Sequence, residues 1–163
     1  MSAETGPRAI EEYLHRRIPI AAAMGVRVES ADPLRVRLSA PFGPNVNTEE
    51  SGRHEPGAAR EVVFGGSAAA VAILAAWTLL YVRDRAAGGR ARLVIQRAAI
   101  DYQRPITGAF EALCELEDEA AYRRFRNAFE RRGRGRITLR STLLQGGRRA
   151  GSFEGDFVAL RSE

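Results

Sequence analysis

The sequence contains no lysine, one cysteine, two histidines and no apolar run that clearly reaches the length of a membrane span. A single cysteine, Cys114, excludes both a disulfide framework and a thiolate zinc site within one chain. His15 and His54 lie far apart and build no metal constellation with it, so neither a metal nor another cofactor is expected. No charged-then-apolar secretory start follows Met1, which leads to the expectation of a cytoplasmic protein. Without lysine, all 25 basic residues are arginine, and against 20 acidic residues they leave a net charge of +5. Arginine offers a planar fork suited to phosphate, so phosphate-bearing partners gain weight. The basic residues are scattered, with a mild concentration from Arg123 to Arg136. Tyr122, Phe125 and Phe129 recur there at helical spacing and read as a core stripe, so nucleic acid is not the expected partner.

What is present is centred on Phe64 to Val82, FGGSAAAVAILAAWTLLYV, where two glycines open a stretch that meets no charge until Arg83. A helix without a polar face must be wrapped by other elements or lie in lipid. From Ser67 to Val82, with six alanines, it falls short of the roughly 20 strongly apolar residues a bilayer needs. The reading is a soluble helix, buried on every side, with Arg83, Asp84 and Arg85 closing the apolar run, a stop near Ala87, Gly88 and Gly89, and no membrane partner.

The surroundings read mostly as strands. An amphipathic helix from Thr5 to Arg17, with Thr5 as its cap, carries Ile10, Tyr13, Leu14 and Ile18 on one stripe, and a short turn follows from Ile20 to Met24. Val26–Glu29 and Leu34–Leu38 form a hairpin around Asp32 and Pro33. From Pro41 to Glu61 the composition turns to Pro, Gly, Asn and charge, which describes a long loop, with residues 48–61 as a flexible insertion. Four further strands are expected at Arg92–Gln103, Ala109–Leu116, Arg136–Leu144 and Ser152–Leu160. An Asp118-capped helix to Arg132 interrupts them, and a tight turn at Gln145–Arg148 joins the last two. The chain suits one domain, 1–163, of α+β class, in which an antiparallel sheet wraps one long buried helix.

Certain motifs in this order carry a resemblance. Asn45 and Asn47 in PNVN, VVFGGS at Val62–Ser67, the Trp77 helix, IDYQRP at Ile100–Pro105 and FEGDFVAL at Phe153–Leu160 are similar to the YiiD C-terminal family of hotdog-fold thioesterases. The similarity runs from about Ile10 to Leu160. It implies a hotdog fold, an acyl-CoA or acyl-carrier-protein thioester as substrate, a link to fatty acid metabolism, and a homodimer or dimer of dimers.

Under that resemblance, Gly65 and Gly66 would present unpaired backbone N–H groups, at the positive end of the helix dipole, to a thioester carbonyl. Their bland alternative is close helix packing. Asn47 matches the loop asparagine that orients water in related thioesterases, or it is simply a turn former. Phe64, Ser67 and Arg104 complete the expected substrate-binding set, with Ser67 also able to cap the first turn, and Arg104 or the Arg123–Arg136 cluster able to meet phosphate. Acid-bearing relatives place a carboxylate within the central helix, where this chain has Ala72, Ile73 and Leu74. Glu49, Glu50, Glu55, Asp101 or His54 would have to activate water instead, and each also reads as a solvated surface group. A non-catalytic acyl-CoA or acyl-carrier binding domain is therefore the competing reading.

Overall fold

The computed structural model describes residues 6–48 and 61–161. Helix α1 (Pro7–Arg17) begins with Gly6 at its N-cap and Pro7 at its first position, one residue inside the expected Thr5, which lies outside the described residues. Ile10 and Leu14 are buried, as their spacing requires. The short α2 (Pro19–Ala23) leads through Gly25, at φ 67°, into β1 (Arg27–Ala31) and β2 (Arg35–Ala40). Asp32 makes their turn, accepting hydrogen bonds from the amides of Leu34 and Arg35 at 2.8 and 3.0 Å.

The expected loop after Pro41 holds more structure than its composition announces. A 3₁₀ turn (Gly43–Asn45) leads into β3 (Val46–Thr48), which pairs antiparallel with β4 (Glu61–Val63) in a separate two-stranded sheet. The expected flexible insertion lies, apart from these strand ends, outside the described residues.

Helix α3 (Gly65–Ala86) runs past the apolar stretch through Arg83, Asp84 and Arg85 and has its C-cap at Ala87, where the sequence reading places the stop. Buried Asp84 is fully engaged: it accepts from Arg126 at 2.8 Å and from the Ala91 amide at 3.0 Å. By length and composition α3 could cross a membrane, yet it is packed within a six-stranded sheet that begins with β1 and β2. Those strands, completed by β5 (Arg92–Tyr102), β6 (Phe110–Glu115), β7 (Arg134–Gln145) and β8 (Arg148–Leu160), run in the order β1-β2-β6-β7-β8-β5, every neighbour antiparallel. Phe110, Phe153 and Phe157 of the sheet and Leu79 and Leu80 of the helix fill the space between them. This is the hotdog arrangement, a curled antiparallel sheet around one long helix.

The helix is not buried on every side. Ala69, Ala70, Ile73, Trp77 and Tyr81 form a half-buried line at helical spacing. Tyr13 of α1 covers its C-terminal part, stacking on Tyr81 with ring centroids 4.6 Å apart. The adjoining strand β5 is paired only with β8 and is largely exposed. Helix α4 (Glu119–Arg132) starts on Asp118, whose carboxylate accepts from the Ala121 amide, and ends on Gly133 at φ 69°. Its Tyr122 and Phe125 are buried, as the aromatic spacing requires. Part of the cationic cluster around it is held in ion pairs, Arg124 on Asp118, Arg126 on Asp84 and Arg136 on Asp156.

Candidate functional site at the start of the central helix

The N-terminus of α3 is held by its approach. Phe64 donates its amide to the Asn45 carbonyl at 2.8 Å, and Val63 donates to the Ile106 carbonyl at 2.8 Å. Asn45 is itself buried, and its side-chain amide donates to the carbonyls of Met24 and Pro41 at 2.9 and 2.7 Å. Phe64 takes the N-cap position with extended backbone, and the Ser67 and Ala68 amides bond to its carbonyl. No side chain caps the helix, so Ser67 does not act as one. The amides of Gly65 and Gly66 find no acceptor among the described residues. Two N–H groups at the positive end of a 22-residue helix thus stand ready for an oxygen that carries or gains negative charge.

Beside them opens a cavity of about 370 Å³ between β4, the first turn of α3 and the segment after β5. Val62, Val63, Ala68 and Ile106 give it apolar walls; Gly65 and Arg104 also line it. The structure thus unites two of the expected residues, Gly65 of VVFGGS and Arg104 of IDYQRP. It also separates the two glycines. A Cβ on Gly65 would meet the Tyr102 hydroxyl at 3.1 Å, whereas one on Gly66 would run into the exposed Phe64 ring. Gly65 faces the cavity, and Gly66 lies under Phe64.

Asn47 is not brought into this cavity. It is exposed on β3, directly opposite Val62 in the β3–β4 register, and its side chain makes no hydrogen bond among the described residues. Its neighbour in the motif, Asn45, is the one turned inward. Asp101 is exposed on β5, while Glu49, Glu50, His54 and Glu55 lie outside the described residues. Among the described residues no Asp, Glu or His lines the cavity. Thr78 is buried far along α3, and its hydroxyl has no partner among the described residues. Among those residues no group of three His, Cys, Asp or Glu side chains could hold a metal ion. Cys114 is no nucleophile: burial pushes its thiol up to about 12, overriding a hydrogen bond with Ser141 that acts the other way.

Tyr102 is the residue that motif reading left without a role. Its hydroxyl donates to the Gly65 carbonyl at 2.6 Å, and its ring lines the cavity. The signal was there, a tyrosine beside the arginine of IDYQRP, but only the strand's path past the helix gives it a partner.

A family model described as "Putative thioesterase (yiiD_Cterm)" matches residues 7–161. No curated protein matches the sequence. Solved structures share the fold. A protein of unknown function from Chlorobaculum tepidum is 24% identical with a TM-score of 0.82, the alignment covering 99% of this chain and 100% of that one. A protein from Shewanella oneidensis described as a "putative thioesterase" is 21% identical with a TM-score of 0.77, covering 94% and 96%. A Pseudomonas aeruginosa protein described as "Probable Thioesterase" is 19% identical with a TM-score of 0.73, covering 96% and 97%.

Proposed function

Since the chain belongs to the YiiD_C family, we propose that it hydrolyses acyl thioesters, with the reacting carbonyl at the first turn of α3. The observation that carries this reading is the pair of glycine amides, without an acceptor among the described residues, beside a cavity with apolar walls. Water adds to the carbonyl carbon, and the π electrons move onto the oxygen. N–H donors fixed in advance bind that oxyanion more tightly than the ground-state carbonyl, which is what lowers the barrier. Gly65 is the principal donor, since it is the glycine on the cavity, and Gly66 supports it. The tetrahedral adduct then collapses, the C–S bond breaks, and the departing thiolate takes the proton that the water has lost.

Asn47 is assigned to orient the water from its position opposite cavity-lining Val62. Phe64 and Ser67 flank the acyl group, and Arg104 meets its carrier. The substrate is an acyl-CoA or an acyl-carrier-protein thioester of fatty acid metabolism in the cytoplasm, and no cofactor is invoked. A second copy covers β5. That strand leaves a free edge 11 residues long, and Ile95 on it is 37% exposed. Free edges of this kind invite pairing. Light scattering should give a homodimer or a dimer of dimers; a monomer near 17.9 kDa at micromolar concentration contradicts it.

One observation favours a second reading, a non-catalytic acyl-CoA or acyl-carrier binding domain: among the described residues no carboxylate or imidazole lines the cavity. Free-thiol release from a panel of acyl-CoAs of graded chain length separates the two. Turnover supports the hydrolase, and binding without turnover supports the binding domain.

A further inference from the structure

A second groove, of about 350 Å³, adjoins the first and shares Arg104 and Pro105 with it. Its other cationic walls are Arg148 and Arg149, just past the β7–β8 turn, and among the described residues no carboxylate lines it. Among the described residues none of these three arginines forms an ion pair or a side-chain hydrogen bond, whereas Arg126, Arg136 and Arg140 are all committed to carboxylates.

The backbone explains why the three converge. Gly146 and Gly147 turn the hairpin with φ of 54° and 74°, a conformation that suits a two-residue turn and seats Arg148 opposite Gln145. The register then slips between Leu143 and Leu144, leaving Ala150 as the extra residue of β8. A bulge breaks the alternation that would send consecutive side chains to opposite faces. Here it frees Ala150 from the ladder, next to Arg148 and Arg149, which both line the groove at the start of β8. The Ala150 carbonyl, free of the ladder, accepts from the amides of Gln103 and Arg104 at 2.8 and 3.0 Å, which fixes Arg104 beside the hairpin. Across the groove, Gln145 accepts from the Thr107 amide at 3.0 Å and donates to its hydroxyl at 3.2 Å, tying the two walls together.

We propose that this groove binds the phosphate-bearing end of a pantetheine carrier, Arg104 standing where the carrier passes from the groove to the thioester cavity. Its ligand class rests on the thioester reading; its chemistry rests on three unpaired guanidinium forks, which match phosphate in charge and planar geometry.

The test is calorimetric titration of the wild type and of an Arg148→Ser/Arg149→Ser double variant, changed only on exposed side chains. The ligands are CoA, 4′-phosphopantetheine, 3′,5′-ADP and pantetheine. CoA should bind the wild type and weaken with salt, and the double variant should bind it about tenfold or more weakly. Pantetheine should not distinguish the two proteins. Binding of 3′,5′-ADP would place nucleotide phosphates in the groove; binding of 4′-phosphopantetheine alone would place the pantetheine phosphate there. Equal CoA affinity for the two proteins, or no binding of any phosphate-bearing ligand to the wild type, overturns the proposal. Groove-dependent CoA binding without thioester turnover would sink the hydrolase reading alone. Turnover of acyl-CoA with an unchanged KM in the double variant would sink the groove alone.

Discussion

The Tyr102 hydroxyl donates to the carbonyl of Gly65 at 2.6 Å, joining the last residue of β5 to the first residue of the central helix. That carbonyl and the Gly65 amide belong to the same helix start, so Tyr102 sets the aim of the N–H groups without offering a donor to the substrate.

Tyr102→Phe should therefore separate positioning from stability. The bond is solvent-exposed, and losing it should destabilise the fold by about 1 kcal/mol or less. Loosening the donors' aim should lower kcat roughly tenfold or more, with KM little changed. A fall in kcat that merely follows a collapsed melting temperature would show that Tyr102 only holds the strand to the helix.

The two asparagines of PNVN should behave in opposite ways. Asn45→Ala removes a buried amide bonded to two carbonyls and should lower stability by about 2 kcal/mol, or the melting temperature by roughly 4–8 °C. Asn47→Ala, on an exposed strand position, should melt as the wild type does. Its turnover should nevertheless fall on the order of 10²-fold if it orients water. Wild-type rates from Asn47→Ala for every acyl-CoA would remove it from the mechanism.

Asp156 should shape the acid limb of stability. Its carboxylate accepts from Thr138 at 2.7 Å and from Arg136 at 2.6 Å, and these two hydrogen bonds hold its carboxyl below the usual carboxylate range. The folded state thus favours the ionised form. The stabilisation is present at neutral pH, above the unfolded value near 4, and is lost as pH falls through the depressed folded value. Asp156→Asn should melt lower than the wild type at pH 7, with the gap closing as the pH drops below 4. Parallel melting curves from pH 7 to pH 3 would contradict this.

Elements whose signal is local were legible in the sequence. Asp118 and Gly133 bracket α4, Gly146 and Gly147 turn the final hairpin, and the charge-free run after Gly66 places the core helix. Each of these follows from the conformational needs of a cap, a turn or an apolar surface. The β3–β4 pair was hidden because a three-residue ladder is too short to impose alternation on turn-rich sequence. The open line of α3 was hidden because alanine and isoleucine read the same whether a sheet covers them or not. At the site, the helix-opening glycines and Arg104 stood out, but Tyr102, Arg148 and Arg149 did not. Their roles depend on β5 passing the helix start and on the final hairpin lying against residues 103–107, which are tertiary facts with no local pattern. Asn45 and Asn47 are indistinguishable by type, and only the 3₁₀ turn decides which one points inward.

The central claim, that the Gly65 amide receives the developing oxyanion, is tested most directly by comparing kcat/KM of Gly65→Pro with that of Gly65→Ala. Position 65 opens the helix, and Phe64 before it is extended at φ −58°, ψ 130°, so proline fits the backbone and deletes one N–H. Alanine keeps the N–H while adding a comparable contact with Tyr102. With both variants folded by thermal melt, the account predicts that proline lies on the order of 10²- to 10³-fold below alanine. Equal rates for the two would contradict it.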